Sequence, residues 1–155
     1  MIDVFKSVHD KNRNSKLLLV GTGNGQSNIR EKVDDLGLSD SVIFLGNRGD
    51  VNRILQAMDV FLFPSLYEGL GIAALEAQAA GLPCIISDSV PSECRVTDLA
   101  ESLDLNLPID EWADVVLEKQ STIRKNTIDD IKKSGFDVKQ NVVKLEEFYL
   151  NSVEE

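Results

Sequence analysis

The chain has few of the residues that carry covalent or redox chemistry. Its 155 residues include two cysteines, one histidine and one tryptophan. Cys84 and Cys94 form no C-x-x-C pair, and no histidine stands near them, which excludes the usual spacing of a zinc site or a thiol redox motif. Cys84 follows Pro83 at the start of an apolar run and reads as a small buried hydrophobe, with no disulfide expected. His9 lies in a polar helical stretch, so a surface role is expected of it rather than catalysis. No apolar run approaches the ~20 residues of a membrane-spanning helix. The opening segment MIDVFKSVHDKNRNSK has an early Asp3 and no apolar core, unlike a secretory leader, and a cytoplasmic location is expected. Positive charge is also scarce. Sixteen Lys and Arg stand against 26 Asp and Glu, a net charge of −10. That excludes a surface built to track nucleic-acid phosphates. It does not exclude a single nucleotide, whose diphosphate can be held by backbone N–H groups and one local cation.

What is present is a regular alternation. Met1 to Lys11 has helical spacing of Ile2, Val4, Phe5 and Val8. Lys16 to Gly21 (KLLLVG) is a solid apolar run ending in glycine, as a strand buried on both faces reads. The loop GTGNG leads to an amphipathic helix over Gln26 to Leu36, stopped by Gly37. Ser41 to Gly46 (SVIFLG) repeats the strand, and Asp50 to Ala57 is a short helix with Asp50 as its expected N-cap. Asp59 to Phe63 and Pro83 to Ser87 are two more strands, separated by an alanine-rich helix over Gly71 to Ala80. A last strand is expected at Glu101 to Leu105 and a helix at Ile109 to Lys119. Thr122 to Ser134 and Asp137 to Ser152 complete a helical tail. Such alternation predicts one α/β domain, a three-layer parallel sheet of Rossmann-like type. Ligands of such sheets sit beyond the C-terminal ends of the strands, the rim to which Gly21, Gly46 and Ser65 are delivered.

The segment most suited to chemistry is FPSLYEGLGIAALEAQAAGLP, Phe63 to Pro83. Gly69 and Gly71 allow close backbone approach to a ligand, and the first N–H groups of the following helix have no intrahelical partner. That is an anion pocket strengthened by the helix dipole. Glu68 at its mouth is misplaced for phosphate but suited to accept from hydroxyl groups just beyond it. Glu76, one turn past Ile72 on the same helical face, also suits vicinal hydroxyls. The pair fits a polyol phosphate such as a nucleotide sugar. On spacing alone, an alternative stands beside this reading: Glu68 caps the helix and Glu76 is a solvated surface residue.

The pattern P-S-x-x-E-G-x-G, four residues, then E-A-x-A-x-G-x-P resembles the signature of glycosyltransferase family 4 and its relatives with the GT-B fold. It is carried here by Pro64, Ser65, Glu68, Gly69, Gly71, Glu76, Ala77, Ala79, Gly81 and Pro83. KLLLVGTGN, SVIFLGNRGDVNRIL and AMDVFLFPS agree with it, so the likeness covers roughly Met1 to Leu117. It implies the C-terminal, donor-binding half of a retaining glycosyltransferase, of the kind that builds bacterial capsular and exopolysaccharides. Under it, Glu68 contacts the donor sugar and Glu76 the ribose hydroxyls. The backbone of Gly69, Leu70 and Gly71 meets the sugar and diphosphate. Gly21 and Gly46, with Asn47 and Arg48, line the rim near the base. Arg53 is a candidate cation for the phosphates, with ordinary surface charge as the alternative for Arg48 and Arg53. The substrate would be a UDP-sugar or another nucleoside-diphosphate sugar, with no divalent metal and no other cofactor.

Two departures shape the expectation. Leu70 stands where the family usually has an aromatic or other bulky residue. The family's domain also begins with a strand ending in a Gly-Arg pair and a loop lysine, and nothing here matches them. Met1 to Lys11 resembles the helix after that loop. The expectation is a donor domain without its first strand, which should lie centrally beside KLLLV, and without an acceptor domain. Such a chain would be inactive alone, or would act as a nucleotide-sugar-binding module of a split transferase whose other part meets a glycan or lipid-linked glycan. The complete enzyme would sit in the cytoplasm or against the inner membrane face. Either KLLLV pairs directly with DVFLF, or the gap is filled by another chain; an unpaired edge there invites a homodimer.

Overall fold

A computed structural model describes residues 1–152. The elements run α1 (Ile2–Lys11), β1 (Leu17–Val20), α2 (Gln26–Asp35), β2 (Val42–Gly46), α3 (Val51–Gln56), β3 (Phe61–Phe63), α4 (Ile72–Ala79), β4 (Cys84–Ser87), β5 (Ala100–Leu103), α5 (Ile109–Lys119), α6 (Ile128–Lys133) and α7 (Val138–Ser152). One 3-10 turn, Ser92–Cys94, follows Pro91. Every strand pair is parallel, as solid apolar runs separated by helices require. Only β4 is buried along its whole length, because it alone has β3 on one side and β5 on the other. The expectation of burial on both faces fails for β1, which is half-buried and ends in an exposed Val20.

The reason lies in the sheet itself, which is in two pieces. β1 pairs with β2, β3–β4–β5 form a second ladder, and β1 does not pair with β3. Direct pairing of KLLLV with DVFLF is therefore corrected. Between the two open edges lies a slot of about 320 Å³, walled by Leu17 and Leu18 on one side and by Val60 and Leu62 on the other. Phe5 and Val8 of α1 and Val116 of α5 form its floor.

Side-chain alternation on β4 sorts the layers. Cys84 and Ile86 face Leu55 of α3 and Ala74, Leu75 and Ala77 of α4. Ile85 faces the other way, onto Val4 of α1 and Trp112 of α5. α2 joins α1 and α5 on that second face through Val33, packed with Phe5, Val8 and Ala113. The chain thus crosses from one face of the sheet to the other between β2 and β3, across the slot. That reversal is the switch point at which such folds bind ligands.

Three expectations are corrected outside the sheet. His9 is buried on α1, 8% exposed, and its Nδ1 has no hydrogen-bond partner among the described residues. Asp50 precedes α3 but makes no capping bond, because Arg48 takes its carboxylate. The helix expected over Thr122 to Ser134 starts only at Ile128. Residues before it act as a staple instead: the Arg124 guanidinium donates to the carbonyls of Leu55, Met58 and Ala80, and the Thr127 hydroxyl donates to the Gln78 carbonyl at 2.7 Å. These carbonyls lie at or just beyond the C-terminal ends of α3 and α4, where the regular i to i−4 ladder runs out. Cys84 and Cys94 are buried free thiols, and burial pushes both thiol pKa values up.

Candidate functional site

The rim at the C-terminal ends of the strands is assembled from three loops. After β1, the Gly21 amide donates to the Gly46 carbonyl at 2.8 Å. The Thr22 hydroxyl then meets the Asn47 side-chain oxygen at 3.2 Å. Gly21, Gly46 and Asn47 are thereby brought together as the sequence implied. Arg48 is not available in the same way. Its Nε and Nη2 each donate to the Asp50 carboxylate at 2.8 Å, which raises the guanidinium pKa and lowers that of Asp50.

The third loop follows β3 and carries Glu68. Among the described residues, no backbone–backbone hydrogen bond involves residues 64–70. The loop is held by side chains instead. Ser65 Oγ lies 2.8 Å from Glu68 Oε1 and 3.1 Å from the Tyr67 carbonyl. Ser87, fully buried at the end of β4, donates its hydroxyl to the Ser65 carbonyl. Leu70 packs against the core of α3, α4 and β4. Leu66 and Tyr67 stand out in solvent, 81% and 86% exposed.

Gly71 ends the loop as the N-cap residue of α4, with φ +83°. A Cβ there would lie 3.1 Å from both Cys94 Sγ and Val90 Cγ1, so only glycine fits the left-handed backbone and the space. No side chain caps this helix. The alternative reading of Glu68 as a cap is thus excluded; its carboxylate turns to Ser65. The Ala74 amide is satisfied by the Gly71 carbonyl, but the amides of residues 69–73 donate to nothing within the described residues. A row of unpaired amides at a helix N-terminus is an anion site in want of an acceptor.

Glu76 lies further along α4, exposed. It lines a cavity of about 550 Å³ between α3 and α4 together with Gly49, Asn52 and Arg53. Arg53 makes no salt bridge among the described residues. Arg53 and Glu76 thus line one cavity, and Ser65 and Glu68 are not part of its lining. No cluster of three His, Cys, Asp or Glu side chains arranged to hold a metal occurs among the described residues.

Two functional supports escaped the sequence reading. Gln78, next to Glu76's face of α4, is completely buried. Its Nε2 donates to the carbonyls of Ala74 and Cys94, and its Oε1 accepts from the amides of Val96 and Thr97 and from the Thr97 hydroxyl. It ties the 3-10 turn to α4 behind the Gly71 turn. Ser87 is the other. It reads as the last residue of an apolar strand, and only its burial against the Ser65 carbonyl reveals the link to Glu68.

Comparison with known proteins identifies the family and the fold. Residues 1–102 match the sequence model of the glycosyl transferases group 1. The putative glycosyltransferase EpsF of Bacillus subtilis is 36% identical over 157 residues, covering 96% of this chain and 40% of that protein. The UDP-Gal:alpha-D-GlcNAc-diphosphoundecaprenol alpha-1,3-galactosyltransferase of Escherichia coli is 32% identical over 145 residues, covering 90% and 38%. The chain therefore spans about two fifths of the length of these curated relatives. Among solved structures, HepE of Anabaena in complex with UDP-glucose superposes with a TM-score of 0.77 at 19% identity, over 97% of this chain and 45% of that one. At that identity the likeness establishes the fold, a Rossmann-like half of a GT-B glycosyltransferase.

Proposed function

The chain belongs to the group 1 glycosyl transferases, and we propose that it is the donor-binding part of a retaining enzyme that moves a hexose from a nucleoside diphosphate to a hydroxyl acceptor. The observation that carries this reading is the Gly71 turn: unpaired amides over residues 69–73 between a loop carboxylate, Glu68, and a helix carboxylate, Glu76. The amides and the N-terminal dipole of α4 receive the diphosphate and stabilise the charge that develops as it departs. Arg53, across the cavity from Glu76, is the rim cation best placed to assist. Glu68 accepts from hydroxyls of the donor sugar, and Glu76 from those of the ribose. The rim of Gly21, Gly46 and Asn47 lies toward the base. No divalent metal is required in this scheme, because helix amides and a guanidinium supply the electrophilic partners. The acceptor, a glycan or lipid-linked glycan of a surface polysaccharide, is met by parts that the relatives carry outside the matched two fifths of their length. The proposed compartment of the reaction is the cytoplasm.

A second reading is favoured by one observation. Arg48 is already neutralised by Asp50, which leaves the rim poorer in positive charge than a leaving diphosphate demands. On that reading this chain alone binds the donor without turning it over.

Calorimetric titration with UDP and with UDP-glucose tests the assignment. Glu76→Ala is expected to weaken both ligands by about tenfold, the loss of one or two charge-assisted hydrogen bonds. Glu68→Ala is expected to weaken only the sugar nucleotide. Equal losses for both variants with both ligands would sink the separate roles.

A further inference from the structure

We propose that Ser65 is a positioning residue for Glu68, and that Ser87 sets the position of Ser65. The assignment rests on the reading of Glu68 as the residue that meets the donor sugar. It starts from how little else holds that carboxylate. Residues 64–70 make no backbone–backbone hydrogen bond among the described residues, so neither a strand ladder nor a regular turn fixes the loop. Pro64 opens it without an N–H to give. Leu66 and Tyr67 are almost fully exposed and offer no packing.

Leu70 anchors the far end of the loop in the core, and between it and Pro64 what holds the carboxylate is a short relay. The Ser87 hydroxyl, at the end of the fully buried strand β4, donates to the Ser65 carbonyl. The Ser65 hydroxyl in turn faces Glu68 Oε1 at 2.8 Å and the Tyr67 carbonyl at 3.1 Å. A serine hydroxyl has one proton to give. An ionised carboxylate is the stronger acceptor of the two, so the proton goes to Glu68. One carboxylate oxygen is thereby occupied, and Oε2 is presented to the ligand. The relay carries the rigid geometry of the sheet out to a loop that has none of its own. Its consequence is selective. The amides of residues 69–73 do not depend on it, so a nucleotide without a sugar gains nothing from Ser65.

The test is calorimetric titration of the chain with UDP-glucose, UDP-galactose and UDP-N-acetylglucosamine, each set against UDP. The sugar that most improves on UDP in the parent chain is the reference. Ser65→Ala is expected to cut that preference about tenfold, with UDP affinity unchanged within about twofold. Ser65→Thr keeps a hydroxyl and is expected to restore the preference. Ser87→Ala is expected to match Ser65→Ala. Should Ser87→Ala fail to fold, the two Ser65 variants decide, since both leave the buried serine in place. A preference unchanged in Ser65→Ala but reduced in Glu68→Gln overturns the relay and leaves the role of Glu68 standing. An equal loss for UDP and the sugar nucleotide in Ser65→Ala also overturns it, being the pattern of a collapsed loop. A parent chain for which no sugar improves on UDP, or which binds none of these ligands, overturns the role of Glu68 and the relay with it.

Discussion

Arg48 closes two guanidinium nitrogens on the Asp50 carboxylate, each at 2.8 Å. The pair lies in the loop after β2, and on the proposed reading it leaves Arg53 rather than Arg48 to serve a phosphate. Arg53→Ala is expected to weaken UDP binding by about tenfold, the scale of a charge-assisted contact. Arg48→Ala should change it by less than about threefold. Asp50→Asn releases Arg48 and should tighten UDP. Titration of the three variants at low ionic strength checks the order.

Acid should loosen the contact between α1 and α2. Lys32 donates to Asp3 at 2.6 Å, and this hydrogen bond holds the Asp3 pKa below its ordinary value. A carboxyl lowered in the folded state contributes stability above its unfolded pKa, about 3.9. That contribution is lost as pH falls through the folded value. Both groups are nearly half exposed, so the gain is under about 1 kcal/mol. Lys32→Met is expected to flatten the acid side of a Tm-against-pH curve below about pH 4 and to leave its neutral side almost unchanged.

Gln78 is expected to be the most costly polar residue of α4 to remove. Gln78→Ala would strand the amides of Val96 and Thr97 and the Cys94 carbonyl in a buried site. A loss of about 3 kcal/mol is expected, read from urea denaturation. Glu76→Ala, on the exposed face of the same helix, should cost under about 0.5 kcal/mol. The contrast separates the residue that holds the turn from the one proposed to meet the ligand.

The open edges of β1 and β3 invite pairing. Association of two chains at the slot is expected, visible as a concentration-dependent mass in sedimentation. Val60→Lys places a charge against the slot wall and should return the chain to a monomer. A wild-type chain that stays monomeric at high concentration would remove this expectation.

Much of this architecture was readable in the residues. The apolar runs before Gly21 and Gly46 marked their strands, and Glu68 with Glu76 stood out because a glycine turn separates them. Other features were hidden for physical reasons. Asp50 has the right position for a cap, but a neighbouring guanidinium competes for the same oxygens. The stretch before Ile128 has ordinary helical composition, yet Arg124 and Thr127 find better partners in the open carbonyls of α3 and α4. Gln78 looks like any polar residue on an alanine-rich helix until the turn after Pro91 folds over it. The two-part sheet is encoded by no local pattern; it was expected only through the resemblance, which places a further strand beside KLLLV.

The slot also bears on how the chain comes apart. With no ladder between β1 and β3, the β1–β2 unit and the β3–β4–β5 unit share no strand hydrogen bonds. Their union rests on α1 and α5, which reach both: Phe5 and Ala113 belong to the core under β1 and β2, Val4 and Trp112 to the cluster under β4. Each helix is a clasp, with neighbouring positions of a single turn serving the two halves. Cooperativity of unfolding then passes through a single helix pair, and loosening that pair would split one melting transition into two.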